Sequence, residues 1–282
     1  MSGETSSAQL RDVHGPTALG GGWRRFRELL WLMALTDFRK TYFGTVLGYV
    51  WSLMRPLMLF AVMLFVFTRV LRFGGTVNAY PVLLLFNLVL FGFFQESTGM
   101  SVGSVVAQEG IVRKTQFPRL VIPLAVVLTS LINLGLNLVA AFAFILIYGV
   151  GPLWTWLLLP LIVAPLCILT SAVALILSSL FVRFRDVGII WTVAVTALFY
   201  GTPIFYPIEL VPEQYRAFML ANPLALIIEQ ARVWIIDPSA PSAAEVAGGF
   251  VGMLPALAIF IFVCVAGWRI FTREAPRIAE SL

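Results

Sequence analysis

Histidine is nearly missing from this chain: His14 is the only one, and it stands in a polar stretch ahead of the first apolar run. No Ser/His/Asp set is therefore at hand for nucleophilic catalysis. Cysteine is scarce too. Cys167 and Cys264 both fall inside apolar runs, with no CxxC pair and no metal-ligand spacing, so each reads as a small hydrophobe. Charge is the third shortage. Only 12% of residues are Asp, Glu, Lys or Arg while 60% are hydrophobic, where a soluble domain carries about a quarter charged. No G-x-x-x-x-G-K-[ST] occurs, so the chain has no P-loop with which to hydrolyse ATP. No basic run with interleaved aromatics lies outside the membrane-flanking segments, which excludes a nucleic-acid surface. Residues 1–22 are polar and Gly/Ser-rich, without a signal-peptide pattern, and are expected to be a mobile tail.

What remains is long apolar runs. They predict spans at about residues 47–70, 80–103, 120–148, 154–181, 187–205 and 247–270. In lipid each run must satisfy its own backbone, and the period-two alternation of a barrel is absent. The expected fold is all-α: one polytopic membrane domain over 23–282 with six transmembrane helices. Fourteen Lys and Arg fall in the N-terminal region, two basic loops and the C-terminal tail. Four (Arg69, Arg72, Arg216, Arg232) fall on the other side, and Arg55 lies within a span. By the positive-inside rule both termini are expected in the cytoplasm.

Three segments depart from plain spanning helices. Gly110–Pro123 puts Arg113, Lys114 and Arg119 between two spans and is stiffened by Pro118 and Pro123. It reads as a cytoplasmic handle for a soluble partner, or as a loop that only sets orientation. Trp23–Lys40 places Trp23, Phe26, Leu30 and Met33 at helical spacing, opposite Arg24, Arg25, Arg27 and Glu28. That pattern predicts an amphipathic helix in the cytoplasmic interface, or else the cytoplasmic start of the first spanning helix. Between spans five and six, Pro212 opens one short helix and Asn222-Pro223 caps a second that ends before Asp237-Pro238. Both are apolar yet too short to span, which predicts a re-entrant outer hairpin. Glu209, Glu213, Arg216, Glu229 and Arg232 are expected on its polar faces.

Glu96 is the intramembrane acid, and Arg55 is placed to pair with it. The acid reads as structural glue, or as a proton relay. Phe199, Tyr200, Phe205 and Tyr206 cluster at the outer end of span five. Their rings suit either a sugar path or an interfacial aromatic belt. Small-xxx-small spacings at Gly44/Gly48, Gly99/Gly103 and Gly248/Gly252 permit close helix contact.

The order of these parts resembles the membrane subunit of ABC-2-type exporters, specifically the polysaccharide, teichoic acid or O-antigen export permeases. The residues that carry it are Asp37-Phe38-Arg39-Lys40, Leu47-Gly48-Tyr49-Val50-Trp51 with Arg55-Pro56-Leu57, and Ile111-Val112-Arg113-Lys114 with Phe117-Pro118-Arg119. Phe184-Arg185-Asp186, Thr202-Pro203-Ile204-Phe205-Tyr206-Pro207 and Asn222-Pro223-Leu224 with Arg232 complete it. The resemblance implies a homodimeric pore above two copies of a separate cytoplasmic ABC ATPase. That ATPase would use ATP and Mg, with no cofactor or metal in this chain. It implies ATPase coupling through Ile111, Val112, Arg113, Lys114, Thr115, Gln116 and Phe117, with Arg185 and Asp186 in a second inner loop. It implies a lipid-linked glycan or polyol phosphate as substrate. The lipid diphosphate would be drawn to Arg24, Arg25, Arg27, Arg39 and Lys40. The competing readings are an ABC-2 exporter of small molecules or lipids, and an ion-coupled secondary transporter that depends on Glu96.

Overall fold

One helix forms the centre of the molecule. The computed structural model describes residues 22–42, 48–70, 79–110 and 118–275. Among them α3 (Tyr80–Val102) is buried along most of its length. Against it pack α2 (Tyr49–Phe65, continued by a π-helical turn, Val66–Val70), α5 (Val121–Ile147), α6 (Leu159–Arg183, preceded by a 3-10 turn, Trp154–Leu158) and α7 (Val187–Gly201). α1 (Gly22–Tyr42) lies on α5, and α11 (Phe250–Glu274) lies on α6. Short α4 (Ser104–Ala107) follows α3, and α8 (Glu213–Leu220), α9 (Pro223–Ile235) and α10 (Ala243–Val246) lie between α7 and α11.

The described regular elements are all helices, as apolar runs in lipid require. Hydroxyls inside the runs donate to carbonyls of the preceding turn: Thr98 to Phe94, Thr170 to Leu166 and Ser179 to Leu175. At these positions serine and threonine enter the bundle with their donors satisfied, whereas the buried Ser97 and Ser130 hydroxyls find no hydrogen-bond partner among the described residues.

Among the described residues five helices are long and apolar enough to cross a membrane, or six if the bent pair α8–α9 makes one span. The expected fifth span is shorter than its apolar run. α7 has 15 residues, about 22 Å of helix against a hydrocarbon core of about 30 Å. It stops because Thr202 precedes proline and takes φ −100°, ψ 141°, away from the helical region as pre-proline residues are. Residues 202–205 continue as buried irregular chain.

The outer pair matches its sequence signals. Pro212 caps α8, and the Asn222 side chain accepts from the Leu224 amide at the start of α9. The two helices are bent by 103° at their break. The proposed mobile tail lies outside the described residues.

Two apolar clusters hold the bundle. The larger joins α3, α5, α6 and the 204–205 stretch to α9. The smaller gathers Phe26, Val105, Leu120–Ile122, Val182, Phe271 and Ala275. It therefore brings α1, α4 and the charged ends of α5, α6 and α11 to one end of the molecule. Phe26 and Phe271 in one cluster put the two ends of the described chain on the same side.

Close helix contact comes from a glycine outside the expected spacings. A Cβ on Gly267 of α11 would lie 2.5 Å from the Ala172 carbonyl oxygen of α6. Around Gly99 there is open space. A Cβ on Gly252 would collide with the Ala247 carbonyl, at 1.6 Å, within its own turn. Gly44 lies outside the described residues.

Candidate functional site

Ile111–Phe117, the expected coupling stretch, lies outside the described residues. Its flanks are well packed. The helix ending at Val102 turns at Gly103 into α4. On the far flank Pro118, Arg119 and Leu120 are buried, and the Val121 amide donates to the Pro118 carbonyl at 2.9 Å. Arg119 is thus a core residue rather than an exposed cation. Arg185 and Asp186 are exposed in the turn between α6 and α7. The Arg185 guanidinium stands 5.1 Å over the Phe181 ring. That ring also fills the space beside Gly188 and Gly103, at 3.2 Å and 3.8 Å from the Cβ either would carry. Phe181 therefore joins the break at Gly103 to the turn between α6 and α7.

Arg24, Arg25, Arg27, Arg39 and Lys40 are all exposed on α1. Arg24 pairs with Glu28 at 3.2 Å and Lys40 approaches Asp37 at 4.0 Å. Burial pushes the Asp37 carboxyl above its ordinary value, and Lys40 opposes part of that. The opposite face, Phe26, Ala34 and Phe38, is buried. Thr129 of α5 donates to the Ala34 carbonyl at 3.1 Å. Phe26 meets the start of α5 and Ala34 meets it further along, so α1 runs beside α5 in the same direction. Trp23, expected on the apolar face, is exposed and stacks on Phe26 at 5.6 Å.

Glu96 does not pair with Arg55 directly. The Asn133 amide donates to both of its carboxylate oxygens, at 3.1 Å and 3.0 Å. Asn137 donates to the Asn133 carbonyl one turn on. Arg55 is exposed on α2, with no ion pair to Glu96 among the described residues.

At the outer end, the irregular 202–205 chain is buried where its carbonyls need donors. α3 supplies them. The Tyr80 hydroxyl donates to the Phe205 carbonyl at 2.8 Å, and the Asn87 amide donates to the Ile204 carbonyl at 3.3 Å. Asn222 ties the hairpin in by donating to the Thr202 hydroxyl at 3.0 Å. On the other side, the Trp156 indole donates to the Ile235 carbonyl, and Thr155 donates to the Trp234 carbonyl.

Two of the hairpin's charges, Glu229 and Arg232, turn inward, while Glu209 and Glu213 are exposed as expected. Glu229 is 2% exposed and Arg232 8%. One nitrogen of Arg232 donates to both oxygens of Glu209 at 2.9 Å and lies 3.5 Å from Glu229. Glu229 also accepts from the Ile208 amide at 3.3 Å. Arg216 donates to the Glu209 and Val211 carbonyls. Two acids and one buried guanidinium thus clamp the chain before α8 onto α9.

The four outer aromatics divide. Phe205 is buried, stacked on Phe67 at 5.5 Å and edge-on to Phe199 at 4.7 Å. Phe199 also leans on Phe91. Tyr200 is 61% exposed, and Tyr206, half-buried, donates to its carbonyl at 3.2 Å. The two phenylalanines belong to the core of this chain. The two tyrosines border its surface.

Sequence reasoning missed Tyr80, Asn87 and Asn133. A signal existed for the asparagines, since a carboxamide inside an apolar run needs a buried partner.

The ABC-2 type transporter family profile matches residues 28–236, which takes in both inner breaks, α3 and the outer hairpin. Two O-antigen export system permease proteins RfbA of Klebsiella pneumoniae are each 32% identical over 202 residues. The match covers 71% of this chain and 77% of theirs. The RfbA permease of Myxococcus xanthus is 26% identical over 260 residues, 92% of this chain and 96% of its own. With the profile running through most of the bundle and these relatives beside it, the chain belongs to the ABC-2 type transporter family.

Proposed function

We propose that this chain is the membrane subunit of an ATP-driven exporter that moves a lipid-linked polysaccharide of the O-antigen type out of the cytoplasm. The observation that carries the reading is the likeness to O-antigen export permeases over 71% to 92% of the chain. Two copies form the pore in the bacterial inner membrane, with both termini cytoplasmic. A separate ABC ATPase, in two copies, binds and hydrolyses ATP with Mg below it. The gathering of the basic segments at one end of the bundle supports that orientation.

In this account the ATPase seats on Ile111–Phe117 and on the Arg185-Asp186 turn. The cationic face of α1 draws the lipid diphosphate at the inner leaflet, with Arg39 and Lys40 near its end and Arg24, Arg25 and Arg27 near its start. α7 and the chain after it complete a sixth crossing, and α8–α9 form a re-entrant outer gate. Phe199, Tyr200, Phe205 and Tyr206 border the path. The exposed Tyr200 is the first of them to meet the polymer, and Phe199 and Phe205 back it from the core. A processive path needs weak contact at many points, and ring faces provide that for sugars.

The test is purification of the tagged chain from its own host in mild detergent. An equimolar P-loop ATPase that is released by charge reversal at Arg113 and Lys114 supports the reading. A chain that purifies alone, without ATPase activity in several detergents, overturns it.

A further inference from the structure

The face of α3 formed by Tyr80, Asn87, Phe91, Phe94 and Thr98 repeats at the spacing of one helix side. Each member meets the chain from α7 to the hairpin, in reverse order. Thr98 accepts from the Trp191 indole at 3.2 Å, and Phe94 meets the same ring at 6.1 Å. Phe91 meets Phe199 at 5.3 Å. Asn87 and Tyr80 then hold the Ile204 and Phe205 carbonyls. At the inner end a Cβ on Gly188 would sit 3.7 Å from Val102. The two segments are thus zipped antiparallel from the Gly103 break to the entrance of the outer hairpin.

We propose that Tyr80 and Asn87 are positioning residues that make α3 a strut, delivering a displacement of its inner end to the backbone at Ile204–Phe205 and so to the outer hairpin. The proposal rests on the ATP-driven reading above. Apolar contacts between helices slide with little penalty, but a buried hydrogen bond to an irregular carbonyl holds one register, because breaking it orphans the carbonyl. The two such bonds sit at the outer end, where the chain has left the helix and can bend. Asn87 carries a cost of its own: its Oδ1 is buried and accepts no hydrogen bond from the protein. A leucine there would avoid that cost only by orphaning the Ile204 carbonyl, so the carboxamide is kept for that one bond. On the far face of α7, Ile189, Ile190 and Val193 are left uncovered by the rest of this chain.

The experiment uses the complete complex in its own host. Tyr80→Phe removes one hydroxyl and keeps the ring, and Tyr80→Phe/Asn87→Leu removes both donors. Surface polysaccharide is measured on cells, and ATP hydrolysis on the purified complex. The expected result is hydrolysis within about twofold of the parent and export lower by about tenfold in the double variant, with an intermediate loss in Tyr80→Phe. Export unchanged in both variants overturns the proposal. So does a parallel fall of hydrolysis and export, or a Tyr80→Phe chain that no longer assembles with its ATPase, since either assigns the hydroxyl to folding. A parent chain without an ATPase would instead overturn the function on which the proposal rests.

Discussion

Arg232 and Glu209 meet through a single guanidinium nitrogen, 2.9 Å from both carboxylate oxygens, with Glu229 3.5 Å away on the same nitrogen. Their partnership fixes the short turn at Ile208–Leu210 onto α9. Arg232→Met leaves Glu229 buried without its cation, a change expected to cost about 3 kcal/mol. A lower thermal midpoint in detergent is the expected outcome, and Arg232→Met/Glu229→Gln recovers more than half of the loss. An unchanged midpoint in the single variant would show that the clamp adds nothing to stability.

Gly267 lets α11 approach the α6 backbone, and Gly99 has open space around it. Gly267→Ala forces the helices apart and is expected to cost about 1–3 kcal/mol. Gly99→Ala is expected to be neutral or slightly stabilising, because alanine is the better helix former. Thermal unfolding of the two variants side by side checks both, and equal effects would contradict the packing described.

Glu96 is held by the Asn133 amide, which suits a structural role. Glu96→Gln is therefore expected to leave export within about threefold of the parent. An ion-coupled transporter would lose transport altogether in that variant, so a complete loss with normal protein amounts would favour the ion-coupled reading.

Arg39 and Lys40 are exposed at the end of α1. Arg39→Gln/Lys40→Gln is expected to lower export by roughly thirtyfold, at about 1 kcal/mol for each of the two cations near an anionic surface. The ATPase should still co-purify. Unchanged export would remove the lipid-diphosphate role from these residues.

Much of this architecture is legible in the chain. Apolar run length gave the long helices, and the Pro212 and Asn222-Pro223 signals gave both outer helices within a residue or two. What escaped depends on partners distant in sequence. α7 ends at Gly201 rather than Phe205 because Thr202-Pro203 breaks the helix, a local signal overridden by the apolar run around it. Two carbonyls of the buried 202–205 chain are met by Tyr80 and Asn87, which reach it from α3. Glu229 and Arg232 read as polar-face residues, since a single sequence does not reveal that Glu209 folds back over them. The useful glycine, Gly267, has no small partner four residues away on its own helix; its partner is Ala172 on another.

The central claim is tested most directly in the native host, by removing this chain and locating the lipid-linked polysaccharide. Loss of surface polymer, with full-length polymer retained on the cytoplasmic face and rescue only when both this chain and an active ATPase are present, is the predicted result. Normal surface polymer without the chain, or rescue that persists with an ATPase unable to hydrolyse ATP, would contradict the account.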